Sequence, residues 1–260
     1  EFGRKRTRDD YLLLRLWQMG ISRVRTPLAD LLTPEYARRV QDCAAAGIRF
    51  TFFRAGVATQ DEWKACIENA AIIEAVEFVS STQDLSDVSH ALAAFDGKPG
   101  PKVHIGKFHS SAHEPRQGSK FAHSVSFGFK WDERDSVLTA LRSSDTNGHV
   151  SGIAFQVNLA DSVADRLGEM DAWGGANGID IVAVIRLADV NPAVPNFDDA
   201  VNTTRISEML LAERSLKRTM LQLDTFTDVD RGYHPRNGLI DRRSNFRDAG
   251  LMLANGEPAC

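Results

Sequence analysis

Cysteine is scarce: Cys43, Cys66 and Cys260 are the three in 260 residues. Their spacing fits neither a disulfide framework nor a zinc site. Cys43 and Cys66 fall inside helical patterns, where a small core residue is expected. No apolar run approaches the roughly 18 residues of a membrane span, and no secretory signal is visible. The expectation is a cytoplasmic protein without membrane contact, a removed signal being the alternative. Positive charge is not in excess either: the net charge is −4 and the pI about 6.0, which gives no general pull toward nucleic acid. The one basic cluster, Arg4, Lys5, Arg6 and Arg8, reads as a solvated loop. No glycine-rich phosphate fingerprint follows an early strand, and no Pro- or Ser-rich linker divides the chain. A single domain over 1–260 is expected, with no cofactor and no bound metal; the oligomeric state is left open.

What the chain does have is a march of short β-branched and aromatic runs alternating with amphipathic runs. Strands are expected at 22–28, 48–53, 75–81, 102–108, 150–158, 179–187 and 219–226. Helices are expected at 11–20, 33–47, 61–73, 85–95, 134–144, 162–178 and 198–218, the second with Thr33 as N-cap and Pro34 in its first turn. Most strand starts are about 26–30 residues apart, the spacing of βα units. The later strands are apolar almost throughout, as strands buried on both faces are. Seven such units, with an eighth strand upstream of Glu1, predict a (β/α)8 TIM barrel; an open doubly wound sheet is the rival.

In such barrels the active site is built at the strands' C-terminal ends. That rule selects Arg25, Arg54, Ser80 and Ser81, then Lys107, His109 and His113, then Gln156, Asn158, Arg186 and Asp189. The last strand's outgoing run "LQLDTFTDVDRGYHPRNGLIDRR" adds Asp224, Asp228, Asp230, Arg231 and His234. The long connection at 109–131 holds three histidines, and its "HSVSFGF" alternates like one arm of a hairpin. His109 and His113 are four apart, but "SSAHEP" is not helical, so they are read as hydrogen-bonding groups rather than metal ligands. Arginines near the barrel mouth need carboxylate partners, and Asp224 and Asp228 are the candidates.

The segment "LDTFTDVDRGYHPRNGLIDRRSNFRDAG" (223–250) resembles the final-strand segment of clan A glycoside hydrolases. Leu223, Asp224 and Phe226 match its start; Gly232, Tyr233, Arg236, Gly238 and Leu239 match its centre. "GISRVRTPLADLLTPEYARRVQDCAAAGIRFTFF" (20–53) is similar to that clan's second and third units. The resemblance implies a (β/α)8 barrel acting on carbohydrate, with glutamates at the ends of strands four and seven as acid/base and nucleophile, about 5 Å apart in retaining enzymes. On this register those positions hold Ser80 or Ser81 and Arg186, so both catalytic glutamates are absent, and Glu77 lies too early in its strand.

Three readings follow. The first is a glycosidic-bond hydrolase with Asp224, Asp228 and His109 as catalytic groups. Arg25, Arg54, Lys107, His113, Gln156, Asn158, Arg186, Arg231 and His234 would then bind a small-molecule or oligosaccharide ligand. The second is a sugar-binding barrel without turnover. The third is an isomerase- or aldolase-type barrel on a small polar or phosphorylated substrate, with Lys107 able to form a Schiff base.

Overall fold

The structure, a computed structural model, describes residues 6–56, 58–79, 85, 100–110, 125–144, 148–187, 199–228 and 237–256. In chain order its elements are α1 (Arg6–Gln18), β1 (Arg23–Pro27), α2 (Leu28–Leu32), α3 (Pro34–Ala45), β2 (Arg49–Ala55), α4 (Gln60–Glu68), β3 (Ile73–Val79), β4 (Lys102–Gly106), β5 (Phe108–Ser110), β6 (Val125–Phe127), α5 (Arg134–Ser144), β7 (Val150–Val157), α6 (Val163–Asn177), β8 (Asp180–Ile185), α7 (Asp199–Glu213), β9 (Thr219–Leu223) and α8 (Asp248–Asn255). Seven strands form one sheet in the order β1-β2-β3-β4-β7-β8-β9. The β1/β2, β2/β3, β3/β4 and β8/β9 pairs are parallel. Sequential order, parallel pairing and intervening helices make this the (β/α)8 type of fold with seven of its strands. β5 and β6 pair antiparallel, with His109 opposite Ser126, so the alternation in "HSVSFGF" does form a hairpin arm.

The chain groups into two compact units, Glu1–Lys107 with Asp132–Gly152, and Phe108–Trp131 with Ile153–Cys260. In the first unit, Phe78 on β3 packs against Trp63 on α4, with ring centroids 6.3 Å apart. Strand side chains alternate between faces, so Val76 and Phe78 face the helices while Ala75, Glu77 and Val79 face the other side. In parallel pairs, partnered residues share a face: Phe53, Glu77 and His104 are partners across β2, β3 and β4. In the second unit, Phe155 packs edge-on to Trp173 of α6, and Ile181 lies under Gly174 of the same helix. The opposite face therefore carries Ala154 and Gln156 on β7, and Val182 and Val184 on β8. Ala154, Val182, Val184 and Met220 pack together there as a small apolar layer.

Element ends show where local chemistry wins. Thr59 and Glu62 form a capping box on α4, each accepting an N–H of the other's backbone. Ser162 caps α6, and Gly178 closes it in the left-handed conformation at φ 71°. Thr33 and Pro34 stand where expected, but the Thr33 hydroxyl donates to the Ala29 carbonyl instead of capping α3. The expected helix 61–73 stops at Glu68, because Ile73 already belongs to β3. The helix expected at 198–218 stops at Glu213, and the Asp171 carboxylate takes the N–H groups of Lys217 and Arg218 as the chain turns into β9. Arg6 and Arg8, expected in a loop, lie in α1. Cys43 and Cys66 are buried as expected, and burial, with the Glu62 charge, pushes the Cys66 thiol up to about 12. Such a thiol is inert at neutral pH.

The last helix is seated by a glycine. A Cβ at Gly250 would enter the van der Waals shell of the Leu239 carbonyl, a backbone atom that is itself fixed by the Arg247 N–H at 3.0 Å. Gly250→Ala is expected to cost about 1–3 kcal/mol through this overlap, read as a lower denaturant midpoint. An unchanged midpoint would mean that α8 can move away freely.

Candidate functional site

The second unit holds a polar group at the exits of β7, β8 and β9. Gln156 is in β7 and 3% exposed; Asn158 follows that strand directly. Arg186 is the residue after β8 and is 6% exposed; Asp224 is the residue after β9. Alternation from Val182 and Val184 places Arg186 on the face away from the helices, as it places Gln156 from Ala154. The Arg186 guanidinium comes within 3.9 Å of the Asp224 carboxylate, whose side chain is 17% exposed. Asp224 also accepts the Leu187 N–H at 3.0 Å and the Thr225 hydroxyl at 3.1 Å. Burial raises the Asp224 carboxyl above its usual range; the Leu187 N–H, Arg186, the Thr225 hydroxyl and Arg205 oppose that shift without cancelling it. The expected partnership of an arginine with Asp224 is thus present for Arg186.

Beneath this group lies a residue the sequence reading passed over. Arg205 on α7 is 5% exposed, and its guanidinium donates to five backbone carbonyls. They are Arg186 at 3.0 Å, Leu159 at 3.3 Å, Asp161 at 3.1 Å, Val157 at 3.1 Å and Asn158 at 3.0 Å. A guanidinium has five N–H donors, so each is used. Burial pulls this group below its ordinary value, against the fields of Asp161, Glu208 and Asp224. The sequence signal was an arginine in the buried stripe of a helical run, between Asn202 and Met209.

The charged run after β9 turns out to be largely self-supporting where it is described. Asp228 is 9% exposed; it accepts the Gly238 N–H at 3.0 Å and the Arg247 guanidinium at 2.5 Å. Arg247 reaches on to Asp199 of α7 at 3.3 Å. Burial works against the Arg247 charge, but bonding to Asp228 and the field of Asp199 hold it above its ordinary value. Asp241 accepts the N–H groups of Arg243 and Asn245 and closes the following turn. Asp228 is thus bonded to both Gly238 and Arg247, while Asp224 stands at the strand exit beside Arg186.

The first unit has its own polar cluster. Arg25 lies in the middle of β1 rather than at its exit, and its guanidinium forks onto Glu77 at 2.5 and 3.1 Å. The two side chains are 10% and 3% exposed, and Arg25 lies 4.0 Å over the Phe53 ring. Glu77 is two residues short of the end of β3 and shares its face with His104. Arg54 lies within β2 and pairs with Glu62 on α4 at 2.8 Å, on the helix side of the sheet. Each of the two arginines pairs with a glutamate of its own unit. Lys107, directly after β4, donates to Glu133 at 2.5 Å. The signal for Glu77 was a charge inside "IEAVEFV" at the same parity as Ile73 and Ala75.

Ser80, Ser81, His113, Asp189, Asp230, Arg231 and His234 lie outside the described residues, and of His109 only the strand pairing is described. Among the described residues no three His, Cys, Asp or Glu side chains are grouped as metal ligands would be, and no helix is long and apolar enough to cross a membrane.

No protein-family model and no curated protein matches the sequence. Solved structures do. A glucosidase from Croceicoccus marinus aligns at TM-score 0.56 and 11% identity, over 94% of this chain and 62% of that one. A family 39 glycoside hydrolase from the gut symbiont Bacteroides cellulosilyticus WH2 aligns at TM-score 0.56 and 9% identity, over 96% of this chain and 61% of that one. The chain thus spans about three fifths of the length of either. At these identities the likeness is one of architecture, and it agrees with the strand order: the chain has the α/β barrel fold that these glycoside hydrolases share.

Proposed function

We propose that the protein acts on a carbohydrate at the exits of β7, β8 and β9, with Asp224 as its working carboxyl. The observation that carries this reading is a carboxyl at a strand exit, beside Arg186, with its proton held more tightly than an ordinary aspartate holds it. A general acid for a glycosidic oxygen needs that property. Around it, Gln156 and Asn158 offer amide donors and acceptors suited to hydroxyl groups. In the proposed step Asp224 gives its proton to the glycosidic oxygen as the bond from that oxygen to the anomeric carbon breaks. Water forms the new bond to that carbon and releases its proton to solvent.

Binding without turnover is the second reading. It is favoured by Arg186 standing where the resemblance expects a nucleophilic glutamate, since a guanidinium cannot attack an anomeric carbon. A panel of aryl glycosides, run beside sugar-dependent thermal stabilisation, separates the two. Turnover that disappears in a folded Asp224→Asn variant supports hydrolysis; stabilisation by a sugar without turnover supports binding alone; neither response sinks both. The Schiff-base reading rests on Lys107, whose ammonium lies against Glu133. Borohydride trapping with small carbonyl compounds is expected to leave Lys107 unlabelled.

A further inference from the structure

A buried arginine whose direct partners are all neutral carbonyls is an expensive way to tie loops together. Two strands already joined by hydrogen bonds do not need it for pairing. The five carbonyls are not scattered: Val157, Asn158, Leu159 and Asp161 follow one another out of β7, and Arg186 leaves β8. Two of those residues, Asn158 and Arg186, belong to the candidate site. The next residue, Leu187, presents its N–H to Asp224, and the Asp224 N–H returns to the Ile185 carbonyl at 3.2 Å. One side chain on α7 thus bonds two residues of the site, one of which directly precedes the N–H that holds the third.

We propose that Arg205 is a positioning residue: its fork fixes the exits of β7 and β8 in one frame, and so sets where Asn158, Arg186 and Asp224 meet a ligand. The proposal rests on the reading that Asp224 is the working carboxyl. The geometry explains why arginine stands here. Lysine has three donors on one nitrogen and cannot reach five carbonyls spread over two strand exits, and a hydrophobic residue would leave them all buried and unpaired. Among the described residues, two cations act on Asp224. Arg186 faces it from the end of β8 and Arg205 from α7, and the charges of Asp161 and Glu208 favour the charged form of Arg205.

A packing role and a positioning role give different results by NMR on the full chain. The Asp224 carboxyl signal is identified by its loss in Asp224→Asn, and the wild type is compared with Arg205→Met and Arg205→Lys. In Arg205→Met the Asp224 midpoint is expected to move to higher pH, since the Arg205 charge that lowers it is gone. The Leu187 amide is expected to exchange at least tenfold faster relative to the Ile181 amide, which is bonded to the Arg218 carbonyl at the other end of β8. In Arg205→Lys the charge remains and the fork is lost, so the Leu187 amide quickens while the Asp224 midpoint moves less. If Arg205→Met does not fold, the lysine variant decides through the same amide ratio. An unchanged Leu187/Ile181 ratio with an unchanged Asp224 midpoint, in either folded variant, overturns the proposal. None of these readouts uses a sugar, so failure to find a ligand and failure of the positioning role remain distinguishable.

Discussion

Asp224→Asn is expected to melt higher than the wild type at pH values above the raised Asp224 value and, at the same time, to lose about 10²–10⁴-fold in turnover of any glycoside the protein cleaves. The stability half follows from the direction of the shift. A carboxyl whose folded-state value is raised makes the fold more stable below its unfolded value near pH 4, and that contribution is lost as the pH rises through the raised value. Above the raised value the wild type carries an ionised, partly buried carboxylate, and asparagine does not. The amide oxygen can still accept the Leu187 N–H. The advantage of the variant should grow from pH 4 upward, level off above the raised value, and vanish near pH 3. Melting curves from pH 3 to 8 check it. A variant that melts lower at pH 7 would show that Arg186 and the two hydrogen bonds outweigh burial, and Asp224 would then be an ordinary ion-pair partner.

Glu77→Gln should be among the most damaging single changes in the first unit, with a loss of about 3–5 kcal/mol in unfolding free energy. The forked pair with Arg25 is closed to water, with side chains 10% and 3% exposed. Removing the carboxylate strands a guanidinium that has given up its hydration. The paired replacement Arg25→Met with Glu77→Leu removes both charges together and is expected to recover most of that loss. Denaturant titrations of the two single variants and the double give the coupling. Additive effects would mean that water reaches the pair and that this cluster does not lock β1 to β3.

The fold was legible in the sequence because it is written in periodicity. β-branched runs such as "IDIVAVIRL" and amphipathic runs such as "TPEYARRVQDCAAAG" repeat at a spacing that only βα units share, and β8 and α3 formed where those runs lie. Boundaries slipped where one residue type serves two elements: Ile72 and Ile73 extend a helical stripe as well as they open a strand. The site was partly legible. Arg186, Asn158 and Asp224 stand at strand exits as expected, because that placement needs nothing beyond a correct strand end. The pairing of charges was not, because a guanidinium on a long stem chooses among all carboxylates within reach, and reach depends on tertiary packing. Arg25 and Arg54 were assigned acids from the last strand's loop, yet each has a glutamate in its own unit. No sequence pattern announces that Asp228 accepts the Gly238 N–H and pairs with Arg247. Arg205 went unnoticed because its partners are backbone carbonyls, which no side-chain motif announces.

The claim that a carbohydrate is handled at the exits of β7, β8 and β9 is tested most directly by crystals soaked in a monosaccharide and disaccharide mixture at millimolar concentration. The account predicts sugar density with hydroxyl groups within about 3 Å of the Asp224 carboxylate and the Arg186 guanidinium. Sugar seated elsewhere and out of reach of Asp224 and Arg186, or no sugar from the mixture at all, would contradict it.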